Sequence, residues 1–461
     1  VGTIQRQGII NSVIIYVGVV LGFLNRLVIQ THYLTPDEIG LAGLLISFSA
    51  LLTTFFLLGS SSMCVRYFPV FRNAEKRHHG FFGFMLLLPA AGTIAGGLIL
   101  WLLKPWFVHH YAALSPLFTG YFFWVFPLAG LMTISITLNA YSYSLLKTTV
   151  PSFVNDVLVR VLLIGIAILH GLNIISLDQF VMGIELTYLA QLVIMLVYIY
   201  TIDRPGLKID WAFVHSVGLK PILSYSFLLT LTALSSLSLK FLDGVFIGAY
   251  LGERQVGIYL IGGFIAQFIE TPLNSVERIA GSKIAHAFSS ANMDEIRQIY
   301  YRSVRLLFVL GGFLAVCIIT NIHDFLHLIP EQFSTAAGVT IIISIGSIIN
   351  MATGVNSPIL NNSAKYIWGV IFLFILLILS VVLYIIFIPR FGIAGAAIAT
   401  GLASAIYNLL KFFFIWKEFG MQPYDSRTLK TIFIIGVSLA AGLFVPIPFT
   451  PFLSIVVRGL M

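Results

Sequence analysis

FLDGVFIGAYLGERQVGIY, residues 241–259, repeats in outline the stretch FLNRLVIQTHYLTPDEIGLA at 23–42. Each begins with Phe-Leu and a small polar residue, Asn25 or Asp243. Each runs on apolar to a Tyr-Leu step, meets a short charged turn and restarts at a glycine. The alignment needs a one-residue slip, since Phe23 pairs with Phe241 but Tyr33 with Tyr250 and Gly40 with Gly257. A helix, turn and helix written twice, half a chain apart, predicts a duplicated set of helices.

The composition states what kind of helices these are. Of 461 residues, 59% are hydrophobic and 10% charged, and the mean hydropathy is +0.99. Soluble domains carry roughly 25% charged residues, so a chain this apolar throughout is an integral membrane protein. Phe and Gly, 39 of each, suit aromatic contact with lipid and close helix approach. Cys64 and Cys317 lie far apart and imply neither a disulfide framework nor a zinc site. Ile9 to Ile29 is long enough to span and lacks a small-residue cleavage site, so it reads as a span and not a leader.

A span needs about 20 mostly apolar residues. Such runs fall near 8–31, 39–62, 80–103, 117–139, 152–171 and 178–200, then near 221–248, 255–276, 303–321, 334–354, 366–388 and 392–415. A thirteenth covers about 429–446, and the short segment after Pro451 is an incomplete fourteenth or no span. Arg66, Arg72, Lys76 and Arg77 follow the second span, and Lys147 the fourth. Arg204, Lys208 and Lys220 follow the sixth, and Arg278, Lys283, Arg297, Arg302 and Arg305 the eighth. Lys365, Lys411, Lys417, Arg427 and Lys430 follow later even-numbered spans. By the positive-inside rule the N-terminus and the even-to-odd loops face the cytoplasm.

The reading is therefore an all-α multi-pass protein of about 12–14 transmembrane helices. Two six-helix lobes in the same orientation are related by a pseudo-two-fold along the membrane normal, one of the transporter architectures. The lobes are residues 1–200 and 221–415. A polar linker at 201–220 joins them, its Trp211, Phe213, Val214 and Val217 suggesting an interfacial helix. Residues 416–461 add a helix or a helix pair.

Ionisable groups inside spans are costly and mark bundle interiors or watery cavities. Thr232, Ser236, Lys240 and Asp243 fall at helical steps in the seventh span, and Gln267, Glu270, Asn274 and Arg278 in the eighth. Asp156 and Arg160 are an i,i+4 pair in the fifth. Glu185 sits in the sixth, and Arg26 one turn beyond Gly22 in the first. Bland readings stand beside each: Lys240 with Asp243 near the outer interface, Arg278 on the cytoplasmic rim, Asp156 with Arg160 as a structural bridge. Polar stripes in both lobes favour a water-filled, partly basic central cavity. His323 and His327 share one turn but have no third ligand. No Walker loop, GxSxG, HExxH or dinucleotide fingerprint is present. The basic, amphipathic segment Gly281 to Arg305 suits anionic lipid headgroups and not nucleic acid.

The stretches YLTPDEIGLAGLL (33–45), FLDGVFIGAYLGERQVGIY and IPRFGIAGAAIATGLA (388–403), with the span pattern, resemble the polysaccharide and O-antigen flippases (Wzx type). These belong to the multidrug/oligosaccharidyl-lipid/polysaccharide superfamily. The resemblance covers nearly the whole chain and indicates the superfamily better than the cargo. It implies a MATE-like flippase in the bacterial cytoplasmic membrane that moves a glycan on a polyprenyl diphosphate carrier by alternating access, without hydrolysing ATP. Such a protein is no enzyme and needs no cofactor. Its partners would be the lipid-linked glycan, membrane lipids and other polysaccharide-assembly proteins.

On that resemblance Arg26, Asn25, Arg160, Lys240, Asn274 and Arg278 are the cavity residues for the diphosphate and sugar. Arg offers a diphosphate a planar, multi-donor fork. Asp156, Glu185, Asp243 and Glu270 are the groups for proton or sodium coupling. Flippases of the lipid-linked peptidoglycan precursor carry charged residues in this part of the first span. Here Leu-Gly-Phe is followed by Leu24, Asn25 and Arg26 and not by an Arg-Asp pair, which favours an oligosaccharide cargo. The rival readings are an ion-coupled multidrug antiporter of the same superfamily, which Asp243 and Glu270 would suit, and a membrane glycosyltransferase or polymerase, for which the loops are short.

Overall fold

The computed structural model describes residues 2–73, 75–238 and 240–444, and all of their side chains but those of 2–9, 228 and 231–238. Among the described residues every regular element is helical, and eleven helices are long and apolar enough to cross a membrane. They match the first six expected spans and the eighth to thirteenth, with two spans contained in the helix Tyr366–Phe419. At 1.5 Å per residue 54 residues would reach about 80 Å, against a hydrocarbon core of about 30 Å. Gly392, at φ 60° and ψ −142°, breaks that helix where the sequence places a loop. The thirteenth span is the helix Ser426–Phe444, and the segment after Pro451 lies outside the described residues.

Two spans depart from expectation. The seventh is not one helix at 221–248 but Leu219–Ser238 followed by Leu242–Leu251. Phe241 between them leaves helical geometry at φ −125°, ψ −14°. Three of the four residues at 235–238 are serines, weak helix formers. Asp243 lies in the first turn of the new helix, where an acidic side chain suits the helix dipole, its Oδ1 accepting the Gly244 N–H at 2.8 Å. The helical steps from Thr232 and Ser236 to Lys240 and Asp243 therefore do not carry across the break, and the side chains of Thr232 and Ser236 lie outside those described.

The second span also breaks, into Pro36–Phe56 and Ser60–Phe71. Leu58 and Gly59 between them are left-handed, at φ 42° and 73°. A Cβ on Gly59 would collide with the Ser226 carbonyl, so only glycine serves there. The helix resumes as far as Phe71, which puts Arg66 on a helix and not in the loop that the charge pattern suggested.

The chain packs as two compact units, residues 1–254 and 255–461. Both halves of the seventh span pack with the first unit, whereas the sequence repeat changes over in the linker at 201–220. Inside the first unit, hydroxyls tie the second span to the fourth: Ser49 Oγ donates to the Val125 carbonyl at 3.0 Å and Thr53 Oγ1 to Ala129 at 3.1 Å. The second unit uses the same device, Thr340 Oγ1 donating to the Gly262 carbonyl at 3.1 Å. Where lipid tails are as apolar as leucine, such close contacts between small residues hold helices together.

The linker is docked. Its helix Trp211–Val217 is capped by Asp210, whose Oδ1 accepts the Phe213 N–H at 3.1 Å. Val214 is fully buried in a cluster with Phe71, Phe81 and Phe84, and Phe213 and Val217 pack against it. The expected interfacial helix thus buries its apolar face in protein. Across from it, His78 and His79 sit in left-handed backbone at φ 55° and 51°. His78 Nε2 lies 2.8 Å from Asp203 Oδ1, and His79 Nδ1 lies 2.9 Å from Asp210 Oδ2. Tyr141 adds an O–H bond to Asp203 Oδ2 at 2.5 Å.

Candidate functional site: charged groups inside the spans

Two of the spans carry π-helical turns, and both hold an asparagine beside a charged residue. Leu24–Ile29 contains Asn25 and Arg26; Val154–Leu158 contains Asn155 and Asp156. A π turn is rare and frequently marks a functional site, because the extra residue turns side chains out of α-helical register. Asn25 is buried, and its Oδ1 has no partner among the described residues. Arg26 is half-buried, and its Nη1 donates to Gln30 Oε1 at 2.7 Å. Among the described residues Arg26 forms no ion pair with any carboxylate.

Arg160 is placed differently. Its Nη1 donates to the Gly18 carbonyl, and a Cβ on Gly18 or Gly22 would lie 3.3 Å or 3.0 Å from that nitrogen. The guanidinium fills the space two glycines leave and braces the fifth span against the first. Asp156 lies 4.0 Å from Arg160 Nη2, a looser contact than a hydrogen-bonded pair. Arg26 joins Gln30, and Arg160 joins Gly18.

Asn155 is the centre of a polar hub. Its Oδ1 accepts from Asn139 Nδ2 at 3.3 Å and from Gln191 Nε2 at 2.5 Å. Glu185, 7% exposed, has an Oε2 with no partner among the described residues. It lines a groove of about 530 Å³ whose other walls include Trp124, Ile134, Met182 and Leu189.

Lys240 is exposed in the turn that breaks the seventh span, and Asp243 is half-buried. In the second unit a 3-10 turn at Phe268–Glu270 interrupts the eighth span just before Pro272. Gln267, Asn274 and Arg278 are exposed along it and Glu270 is half-buried. Asn274 Nδ2 donates to the Glu270 carbonyl at 3.4 Å. Among the described residues no group of three or more His, Cys, Asp or Glu could hold a metal ion, His323 and His327 included.

The charge pattern counted Lys411 among cytoplasmic cations, but the structure buries it. The helix runs two turns past it to Phe419, and Lys411 is 3% exposed. Its Nζ donates to Ser357 Oγ at 2.9 Å and lies 4.0 Å from the centre of the Tyr407 ring. Beside it Asn408 Nδ2 donates to Asn350 Oδ1 at 3.0 Å and Asn356 Nδ2 to Asn408 Oδ1 at 3.4 Å. This is a second asparagine hub. Asn139 and Asn350 occupy the same position in their helices, counted from Val125 and Ala336. The signal was present in the sequence as Tyr407, Asn408 and Lys411 on one helical face.

The comparisons with known proteins agree on the fold. Residues 229–386 match the MatE family model. No curated protein matches the chain. The fold itself is shared with solved structures of two kinds. The lipid II flippase MurJ, in an inward closed conformation, superposes with a TM-score of 0.72 at 17% identity, covering 98% of this chain and 96% of that one. An inward-facing multidrug resistance MATE family transporter of the MOP superfamily gives 0.67 at 14% identity, over 87% of this chain and 94% of that one. A MOP superfamily transporter from Pyrococcus furiosus, described as having a binding pocket of reverse polarity that suggests a different function, gives 0.59 at 13% identity, over 90% and 96%. One fold thus serves several cargoes, and the site must decide among them.

Proposed function

We propose that this protein is a flippase that carries a polyprenyl-diphosphate-linked oligosaccharide across the cytoplasmic membrane by alternating access, with its N-terminus in the cytoplasm. Arg26 is the observation that carries the proposal. A half-buried guanidinium inside a span, bonded to a neutral Gln30 and ion-paired with no carboxylate among the described residues, favours an anionic ligand. A diphosphate supplies concentrated negative charge, and Arg meets it with a fork of donors. The MurJ-like fold supports a lipid-linked cargo. In cells lacking the wild-type gene, Arg26→Ala is expected to abolish export of the surface glycan at normal protein abundance. Arg26→Lys should restore it in part, since the charge remains and the fork does not. Export unchanged in Arg26→Ala would sink the proposal.

One observation favours a second reading, an ion-coupled multidrug antiporter. Glu185 lies buried in the wall of an otherwise apolar groove, its Oε2 without a partner among the described residues, where a lipophilic cation that displaced the covering side chains would find a carboxylate. Drug resistance conferred by the wild-type protein and lost in Glu185→Gln, with no effect on glycan export, would select the antiporter.

A further inference from the structure

We infer that a groove between the second, fourth and seventh spans, built around Arg66, binds the phosphate of a phosphate-bearing amphiphile whose headgroup also carries hydroxyls. The groove measures about 580 Å³, within the range of small-ligand sites, and its polar walls are Ser61, Ser62, Arg66, Asn139, Tyr143 and Tyr225. All of them belong to the first unit.

Arg66 is the unusual member. Its guanidinium carbon lies 4.1 Å from the centre of the Tyr225 ring and 5.7 Å from that of Tyr67. Stacking on aromatic faces holds a guanidinium in place without consuming its N–H donors. Among the described residues those donors meet no carboxylate and no hydrogen-bond acceptor, so they are free for a phosphate. Arg66 also lies near the Phe71 end of its helix, beside the basic loop that holds Arg72, Lys76 and Arg77. That end therefore attracts anions before Arg66 binds one.

The neighbouring groups suit hydroxyls. Ser61 and Ser62 give and accept hydrogen bonds, and Asn139 has a buried Oδ1 with no partner among the described residues, although its Nδ2 is used by Asn155. An orphaned acceptor of this kind asks for a donor. Tyr143 and Tyr225 add aromatic faces against which the apolar side of a sugar packs. Two sources share this chemistry: a sugar on a polyprenyl diphosphate and the glycerol phosphate of an anionic lipid. The first source rests on the function proposed above and would make the groove a loading site apart from Arg26.

The test uses the full chain in nanodiscs of neutral phosphatidylcholine, with native mass spectrometry as readout. One probe is farnesyl diphosphate carrying N-acetylglucosamine; the other is phosphatidylglycerol. Arg66→Ala is expected to weaken at least one probe about tenfold, the scale of one charge-assisted bond, with Arg66→Lys in between. Loss of the sugar probe supports the carrier as source, and loss of phosphatidylglycerol alone supports a lipid. Unchanged binding of both probes, or binding of neither by the wild type, overturns the groove. If Arg66→Ala binds both probes normally while Arg26→Ala loses the sugar probe, the groove fails and the flippase stands. If the wild type binds only phosphatidylglycerol, and does so through Arg66, the groove stands and the flippase fails.

Discussion

Asp37 accepts a hydrogen bond from Arg254 at 3.1 Å across 217 residues of sequence, so the two copies of the duplicated turn touch. Around this pair the contacts are closer. Gly40 lies against the Glu253 backbone so tightly that a Cβ there would overlap its carbonyl. The Glu253 carboxylate in turn accepts the N–H groups of Leu117 and Phe118, both at 3.1 Å.

The exposed ion pair and the buried glycine contact should differ sharply in cost. Gly40→Ala forces the turns apart and is expected to lose about 1–3 kcal/mol, as overpacking usually does. Asp37→Ala should cost no more than about 1 kcal/mol, because half-exposed pairs contribute little. Thermal melting of both variants in detergent decides it. Equal melting temperatures for Gly40→Ala and the wild type would refute the contact.

Lys411 allows the charge to be separated from the packing. Lys411→Ala removes buried volume together with the bond to Ser357, and should cost about 2–4 kcal/mol. Lys411→Met keeps most of the volume and removes only the ammonium, but that ammonium faces the partly buried Glu277 carboxylate, which is left without its cation. Its melting temperature should therefore lie below the wild type but above that of Lys411→Ala. A Met variant as unstable as the Ala variant would show that the ammonium itself holds the site together.

The π turn at Leu24–Ile29 is one residue longer than an α turn would be. Deleting Val28 should let the turn close in α form, keeping the flanking helical segments near their places while resetting the side-chain directions inside the turn. Asn25 and Arg26 would then point elsewhere with their chemistry intact. Glycan export should fall to the background of Arg26→Ala while the protein still reaches the membrane. Full export by the deletion variant would show that the register of Arg26 is immaterial.

Asp210 carries a pH dependence whose sign is set by its partners. Hydrogen bonds from His79 and from the Phe213 N–H hold its carboxyl below the usual carboxylate range. A depressed carboxyl stabilises the folded state fully above its unfolded value of about 3.9, and that contribution is lost as pH falls through the lower folded value. Amide exchange of Trp211–Val217, corrected for intrinsic rates, should thus rise below about pH 4. In Asp210→Asn it should be faster already at neutral pH and lack that acid step. Identical profiles for the two proteins would remove Asp210 from the docking.

Apolar run length was enough to locate nearly every span, because lipid allows few alternatives to a continuous helix. It failed where backbone geometry changes inside a run. Leu57 to Ser60 is as apolar or small as its surroundings, and its break depends on neighbours such as the Ser226 carbonyl against Gly59. At Ser238 to Leu242 the one sign is Lys240, which reads on paper as a charge inside a continuous helix. The charged residues were legible as a set but not by role. Arg26 and Arg160 look alike on paper, and only packing shows one bonded to a neutral Gln30 and the other to the Gly18 carbonyl. Lys411 was misread because distance from a span end is judged from where the helix stops, and Phe419 carries it two turns further. Arg66 was misread for the same reason at Phe71.

The linker at 201–218 is fastened at both ends, Asp203 to His78 and Asp210 to His79, with Val214 seated among phenylalanines. A connector anchored in this way cannot act as the joint about which later helices swing. Any displacement of the second half of the seventh span, Leu242–Leu251, has to be taken up at the interruption just before it or at Gly252, whose φ of 93° few other residues would tolerate. Such a movement would turn about the interruption within the seventh span, while the docked linker at 201–218 stays still.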